Sequence, residues 1–220
     1  RLIAWLTTAT SAGVLFEIDT RLRPNGTAGL LVTNIDSFRS YQLREENNSA
    51  WVWEHQALTR ARFCAGDVTI GQQFDEIRNV VLSQIRDKSA LKQEIISMRQ
   101  KVTDGHPNDS GQFDIKHDSG GMVDIEFIVQ YLVLQFSHSH QKLLGNWGNI
   151  ALLMSAGEDD LIPSDLAAAV ADAYRLYREY QHRIRLDGAD KTRIQLEEMD
   201  ERLISARDAV KKLWQLVLVN

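Results

Sequence analysis

Alternating apolar and charged positions mark residues 13–29, GVLFEIDTRLRPNGTAG, as a two-sided strand that ends in a turn. Read with a period of two, one face of this strand is apolar and the opposite face is charged. The apolar face holds Val14, Phe16, Ile18 and Leu22, and the charged face holds Glu17, Asp19, Arg21 and Arg23. Pro24-Asn25-Gly26 predicts the turn, and residues 29–32, GLLV, predict a second short strand beside the first.

From residue 36 onward the spacing of apolar residues is that of helices. Asp36 or Ser37 can cap a short helix that runs through Tyr41. Ser49 can cap the next helix, AWVWEHQALTRARFC, whose buried face includes Cys64. Further helices are predicted from about Val68, from about Leu91, from about Met122 to Phe136, from Ser164 and from about Leu196.

Three of these segments carry more specific expectations. The helix at residues 122–136 is apolar on nearly every side, which predicts a central position among other helices. The last two helices have apolar residues at alternating four- and three-residue spacing, which predicts that they pack antiparallel on each other. Residues 103–112, TDGHPNDSGQ, are rich in turn formers and predict an excursion or a disordered link.

Composition limits the class of protein. A chain of 220 residues with 44% hydrophobic content can bury a substantial core, and a net charge of −5 argues against a broad nucleic-acid-binding surface while allowing a small basic pocket. One cysteine excludes a disulfide framework and fits a reducing cytosol. The most apolar run, residues 122–136, is short and carries acids, so no membrane span is expected. Because the chain starts at Arg1, we expect it to be cut from a longer protein.

The charged face of the first predicted strand is the first candidate for chemistry. Asp19 precedes Arg21 by two residues and Arg23 by four, which would place an acid and two bases in one row. Such a row suits a metal ion and phosphate oxygens held together. The alternative is a solvated strand face with local ion pairs.

Three blocks of sequence, in this order and spacing, resemble one known family. They are EIDTRLRPNGTAGLLV, AWVWEHQALTRAR and FDIKHDSGGMVDIEFIVQYLVL. Together they resemble the C-terminal, adenylylating half of the glutamine synthetase adenylyltransferase family. The resemblance covers nearly all of residues 13–135 and is weaker beyond them. The choice of this half depends on Trp51, Trp53, His55, Gln56, Asp114 and Asp124.

The resemblance implies a fold, a metal and a site. The fold class it implies is α+β and predominantly helical: residues 1–48 would be the C-terminal part of a polymerase-beta-like nucleotidyltransferase sheet, and residues 49–220 an all-α helical bundle. In that superfamily three carboxylates bind Mg²⁺, and Asp19 matches the third. The other two would precede Arg1, so we expect the chain to be inactive alone. Arg21 and Arg23 would orient phosphates, with structural ion pairs as the alternative.

The second and third blocks supply the remaining candidates for nucleotide binding. On a helix Arg60 and Arg62 would lie about 200° apart, so only one of them could face the site. Gly120 and Gly121 open the apolar helix, where free amides could receive an anion with Lys116 nearby, although a glycine pair is as often a packing cap. Glu126 and Asp124 lie on an apolar helix and are expected either in ion pairs or in the nucleotide cleft, with Glu126 assigned to the cleft.

The resemblance implies transfer of AMP from ATP to a tyrosine of glutamine synthetase, with the PII signalling protein as partner, glutamine as effector, and a cytoplasmic location. Two alternatives remain open from the residues. One is uridylyl or adenylyl transfer to a PII-type protein by a related enzyme. The other is a helical module that binds regulators and has no catalytic role, which the acidic balance and the two apolar stripes also fit.

Overall fold

The computed structural model describes residues 2–11, 13, 18–45, 49–189 and 191–220, and these residues are mostly helical. The helices are α1 (Leu2–Thr7), α2 (Ile35–Leu43), α3 (Val52–Leu58), α4 (Val68–Leu82), α5 (Lys88–Asp104), α6 (Met122–Phe136), α7 (Asn149–Glu158), α8 (Ser164–Leu186) and α9 (Glu201–Trp214). Shorter 3₁₀ turns cover Gly26–Ala28, Gln141–Leu144 and Leu196–Glu198, and a π-helical turn covers Gln215–Val219. Two short strands, β1 (Phe113–Asp114) and β2 (Arg193–Ile194), pair antiparallel with Phe113 opposite Ile194.

Helix α6 lies at the centre of the core, as its uniform hydrophobicity predicted. It contacts α3, α5, α7, α8 and α9. Ile125, Ile128 and Leu134 on this helix are fully buried. Each buried side chain of this size stabilises the fold by about 1.5–3 kcal/mol, so α6 is the largest single source of hydrophobic stability among the described helices.

Helices α8 and α9 pack on each other along their apolar stripes. Val170 and Tyr177 on α8 and Val210 and Leu213 on α9 are fully buried. The stripe predicted to begin at Leu196 starts later, because the Asp200 side chain accepts a hydrogen bond from the Leu203 amide and caps α9 there. Leu196 lies in a 3₁₀ turn and is exposed.

The predicted strands at the start of the chain differ from the structure. Residues 14–17, which include Val14, Phe16 and Glu17, lie outside the described residues. Residues 18–24 and 29–32 are irregular, and Leu22 is 67% exposed. A strand needs a neighbour to pair its backbone groups, and among the described residues none lies beside this stretch. The described strands are β1 and β2, which belong to loops that the sequence pattern did not identify as extended.

The second predicted helix is shorter than expected and has another N-cap. It begins after Trp51 and ends at Leu58. The buried Arg78 guanidinium donates to the carbonyl oxygens of Leu58 and Thr59, at 2.9 Å each, and these bonds stabilise the end of the helix. Cys64 therefore lies beyond the helix and is exposed, so its assignment to the core is wrong.

A buried ion pair fixes the turn between β1 and α6. Arg99 on α5 donates to Asp124 at 2.5 Å, and both side chains are less than a tenth exposed. The other carboxylate oxygen of Asp124 accepts from the Gly120 amide at 2.7 Å, while Arg99 also donates to the His117 carbonyl at 2.7 Å. Tyr177 on α8 donates to the Gly120 carbonyl at 2.8 Å. The turn is thus tied to α5, α6 and α8 at once.

The loop before β1 is held in place rather than free. Asn108 donates to the Gln112 carbonyl at 2.9 Å and to the Asp118 carboxylate at 2.8 Å.

None of the described helices is long and apolar enough to cross a membrane.

Replacing Asp124 by alanine is expected to lower the free energy of unfolding by about 3–5 kcal/mol, because it leaves the buried Arg99 charge unpaired. Urea unfolding followed by circular dichroism measures the change. Asp172→Ala is the control, because it breaks the exposed pair with Arg175 and is expected to cost less than about 1 kcal/mol. Equal losses in the two variants would contradict the structural role of the pair.

Candidate functional site

Asp19 and Arg21 form an exposed ion pair. The Arg21 guanidinium donates to both oxygens of the carboxylate at 2.7–3.1 Å, and the Arg21 amide donates to it at 2.9 Å. These bonds lower the pKa of the Asp19 carboxyl to about 2. Asp19 is therefore a carboxylate at any neutral pH, and Arg21 now holds the oxygens that a cation would need.

Arg23 closes the loop that follows. Its guanidinium donates to the carbonyl oxygens of Thr20, Thr27 and Gly29, the last at 3.2 Å. A side chain on Gly29 would meet the Pro24 carbonyl oxygen at 1.8 Å, so the loop is closed too tightly for any other residue there. Arg23 has a structural role in this loop whatever else it does.

A buried tyrosine and glutamate attach the loop to the helices. The Asn25 amide donates to the Tyr41 hydroxyl at 3.0 Å, and that hydroxyl donates to Glu54 at 2.8 Å. Glu54 also accepts from the Trp51 amide at 2.9 Å and so completes the start of α3. Glu54 is buried and positions the loop.

The loop and α3 enclose a pocket of about 210 Å³. Arg23 and Pro24 line one side of it, and Trp53 and Arg60 line the other. The first and second sequence blocks therefore meet at this pocket, with an arginine from each.

Arg60 also reaches the third block through a polar cluster at Glu126. Its guanidinium donates to the Asn149 side chain at 2.9 Å, and Tyr174 on α8 donates to Glu126 at 3.3 Å. Burial raises the pKa of Glu126, while the Tyr174 hydrogen bond and the charges of Lys116, Arg60 and Arg178 lower it. We call Arg60, Lys116, Glu126, Asn149, Tyr174 and Arg178 the Glu126 cluster.

The structure thus brings together three of the predicted binding residues, Arg60, Lys116 and Glu126. Arg60 lies in a turn just after α3 rather than on a helix, so the angular argument about Arg60 and Arg62 does not apply. Arg62 is exposed, and no described carboxylate forms an ion pair with it. Of the two arginines, Arg60 is the one that faces the cluster.

Gly120 and Gly121 have a different role from the one their position suggested. The amides of residues 120–123 donate, in order, to the Asp124 side chain and to the carbonyls of Asp118, Ile115 and Lys116. These amides have acceptors within the chain and are not free for an anion. Gly120 has a φ of +83° and lies against Arg207, which explains the glycine.

Asn149, Tyr174 and Arg178 were not identified from the sequence as site residues. Tyr174 is a half-buried aromatic residue of α8 that packs against the core. Its spacing of four from Arg178, on a helix that passes beside α6, is the only sequence signal that could have indicated a polar contact. Asn149 gives no such signal, because it contacts Arg60 only through the fold.

The metal site implied by the resemblance is only partly represented. Among the described residues no group of three or more His, Cys, Asp or Glu side chains could hold a metal ion. Asp19 fits as one ligand because it is ionised and exposed, but the described residues do not supply the rest. The site that they do supply is cationic, because the charges of Lys116 and Arg60 both act on the half-buried Glu126.

Two family models match this chain, one in each part. Residues 1–77 match the model of glutamate-ammonia ligase adenylyltransferase. Residues 90–215, more than half of the chain, match the model of GlnD PII-uridylyltransferase. Residues 1–77 are therefore similar to one kind of transferase and residues 90–215 to the other.

Curated relatives match nearly the whole chain. The bifunctional glutamine synthetase adenylyltransferase/adenylyl-removing enzyme of Burkholderia mallei is 56% identical over 219 residues, which are 99% of this chain and 23% of that protein. The enzyme of the same name from Aromatoleum aromaticum is 55% identical over 99% of this chain and 22% of its own length. The Nitrosomonas europaea enzyme is 49% identical over 96% of this chain and 23% of its own length. This chain spans less than a quarter of these relatives, and the matches extend beyond residue 135 to cover 96–99% of it.

Gly120→Ala is expected to destabilise the protein by at least about 2 kcal/mol more than Gly188→Ala. Both glycines have a φ of +83°, so both variants incur the same backbone strain. Only at Gly120 would the new methyl group meet a backbone atom, the Arg207 carbonyl oxygen at 2.9 Å, whereas nothing lies within 4 Å at Gly188. Urea unfolding of both variants measures the difference. Similar losses of unfolding free energy would show that the turn shifts at little cost to accommodate the methyl group.

Glu126→Gln is expected to gain stability relative to the native protein as the pH rises from about 4 to 8. Burial raises the pKa of Glu126, so the folded state holds the proton to a higher pH than the unfolded state does, and the native protein loses stability as the pH rises through that pKa. Glutamine imitates the neutral form at every pH. Unfolding free energies at several pH values test this, with the exposed Glu179→Gln as control. If the variant instead loses stability relative to the native protein as the pH rises, the charges of Lys116, Arg60 and Arg178 lower the pKa of Glu126 more than burial raises it.

Proposed function

This chain belongs to the glutamine synthetase adenylyltransferase family, and from that premise we propose that it forms part of a site that transfers AMP from ATP to a tyrosine of glutamine synthetase. The observation that supports this most is the meeting of the three sequence blocks at Arg60. That residue lines one pocket with Arg23 from the first block, donates to Asn149, and acts electrostatically on Glu126 from the third block.

In the proposed reaction the tyrosine oxygen forms a bond to the α-phosphorus of ATP, and the bond to the bridging oxygen breaks. Pyrophosphate leaves with that electron pair, and the hydroxyl proton is lost. Negative charge grows on the leaving group, so cations placed beside it lower the barrier. Arg60 and Lys116 are the cations of this chain that we assign to that role.

The Glu126 cluster positions these cations before the substrate binds. Glu126 offsets the mutual repulsion of Lys116, Arg60 and Arg178, and Asn149 fixes the Arg60 guanidinium through one of its N–H groups. The other N–H groups of the guanidinium remain for phosphate oxygens, which match its fork geometry. Orientation before substrate arrives reduces the reorganisation that binding would otherwise need.

Asp19 is the proposed ligand of Mg²⁺, which when bound would neutralise phosphate charge. Its low pKa keeps it ionised, and Arg21 keeps it in place until a cation competes. The remaining ligands would come from residues other than those described. Arg21 would then be released and could pair with a phosphate.

Regulation is a second part of the proposal. The match of residues 90–215 to the GlnD PII-uridylyltransferase model supports the PII protein as a partner. Glutamine is the proposed effector. The same match keeps uridylyl transfer to PII as the competing activity. A cytoplasmic location is consistent with either.

Arg60→Gln is expected to reduce AMP transfer at least about tenfold, because it removes a cation beside the leaving group. The assay uses the Burkholderia mallei relative with its matching segment replaced by this chain, and follows label from α-labelled ATP into glutamine synthetase. Arg62→Gln is the matched control and should change the rate less than twofold. Equal effects of the two substitutions would contradict the assignment of Arg60.

Two further arms of this assay separate the competing functions. UTP with PII in place of ATP with glutamine synthetase should give no transfer, and robust labelling of PII would favour the uridylyltransferase alternative. The 220-residue chain alone is expected to transfer no AMP. If the folded chimera transfers neither AMP to glutamine synthetase nor UMP to PII, the result would favour the regulator-binding module.

A further inference from the structure

A second concave site lies between β1, β2 and the end of α8, away from the pocket that Arg23 lines. It has a volume of about 230 Å³. Four segments of the chain form its wall: the turn after α5, the turn after β1, the last turn of α8 and the residues that lead into β2. We call it the basic pocket.

Cations dominate the lining of the basic pocket. Lys116, Arg185, Lys191 and Arg193 all line it, and among the described lining residues Asp114 is the single carboxylate. The whole chain has a net charge of −5, so the local excess of positive charge is opposite in sign to the charge of the chain as a whole. Such an excess in a concavity attracts anions more strongly than the same charges spread over a convex surface.

The one carboxylate is already engaged. One oxygen of Asp114 accepts from the amides of Lys116 and His117, at 3.0 Å each, and the other lies 3.5 Å from Nε of Arg193. Asp114 therefore fixes the turn and holds Arg193 at the base of the pocket. Among the described residues no carboxylate forms an ion pair with Lys116, Arg185 or Lys191.

Two histidines form a flat side of the basic pocket. The rings of His106 and His117 stack with centroids 4.1 Å apart and planes 9° apart. Nδ1 of His106 lies 2.9 Å from the Val102 carbonyl, so this nitrogen carries a proton and fixes the ring. Burial lowers the pKa of His117, and the charges of Lys116 and His106 act in the same direction while Asp114 opposes them. An anion in the pocket would offset the repulsion between a protonated His117 and the positive charges of Lys116 and His106.

The size of the basic pocket limits the ligand. Sites for drug-sized molecules usually enclose about 300–1,000 Å³, and this one is smaller. Two arginines offer forked N–H pairs that match the oxygens of a phosphoryl group, and two lysines add point charges. We propose that the basic pocket binds a phosphate or pyrophosphate anion, either free or as the terminal phosphates of a larger molecule.

This site differs from the one proposed for AMP transfer. Lys116 lines the basic pocket and also influences Glu126, so the two sites are neighbours that share one cation. Binding at the basic pocket needs neither Asp19 nor a metal, and it would occur whether or not the chain takes part in AMP transfer. A binding measurement on the chain alone therefore tests it independently of the proposed function.

The test is titration calorimetry of the 220-residue chain with sodium phosphate and with pyrophosphate at low ionic strength. We expect saturable binding with one site, weakened at least tenfold in the Arg185→Gln/Lys191→Gln double variant. Both side chains are exposed, so the fold should be unaffected, which circular dichroism and the thermal midpoint verify. The control is Lys88→Gln/Lys212→Gln, which removes the same charge from exposed positions elsewhere and should change the affinity less than twofold.

Histidine NMR signals locate the bound anion. Signals of His106 and His117 should move with saturation while that of His138 stays unchanged. An ADP titration distinguishes the sources: pyrophosphate binding without ADP binding assigns a free anion, and equal binding assigns the end of a larger molecule. Absence of saturable binding, equal weakening in both double variants, or shifts that spare His106 and His117 would each overturn the proposal.

Discussion

The buried pair of Arg99 and Asp124 is the interaction on which the rest of the structure depends. It joins α5 to the first turn of α6, and the second oxygen of Asp124 fixes the Gly120 amide. Two desolvated charges are favourable only when their remaining hydrogen-bonding groups are satisfied, and here Thr103 and the His117 carbonyl satisfy those of Arg99. One carboxylate therefore sets where α6 begins and where the preceding turn lies.

That turn determines the positions of both candidate sites. Lys116 and His117 lie in it, two and three residues beyond Asp114, and Glu126 lies one turn of helix beyond Met122. Glu126 belongs to the Glu126 cluster with Arg60, and Lys116 lines the basic pocket together with residues of β2 and the end of α8. A shift of the turn would move both sites together. The same logic applies at α3, where Arg78 and Glu54 define the helix ends and so place Arg60.

Local pattern predicted the helices well and the polar contacts poorly. The apolar run at residues 122–136 has no other stable environment than the centre of a helical bundle, and it lies there. The strand pattern at residues 18–23 failed because alternation predicts a strand only where a partner strand is present. Arg60 could be nominated through the three-block resemblance, but its partner Asn149 is 89 residues away, and nothing local to Asn149 indicates the contact. Asp124 was left between two roles because only the fold shows that Arg99 faces it.

We infer that the turn at residues 114–124 is a rigid support for Lys116 and Glu126. Native-state hydrogen exchange tests it most directly, with the amides of Gly120, Met122 and Val123 compared with that of Leu132 deep in α6. If the turn is rigid, all four amides exchange only through global unfolding, with the same opening free energy. A lower opening free energy at Gly120 and Val123 than at Leu132 would show that the turn opens locally, and would contradict the account.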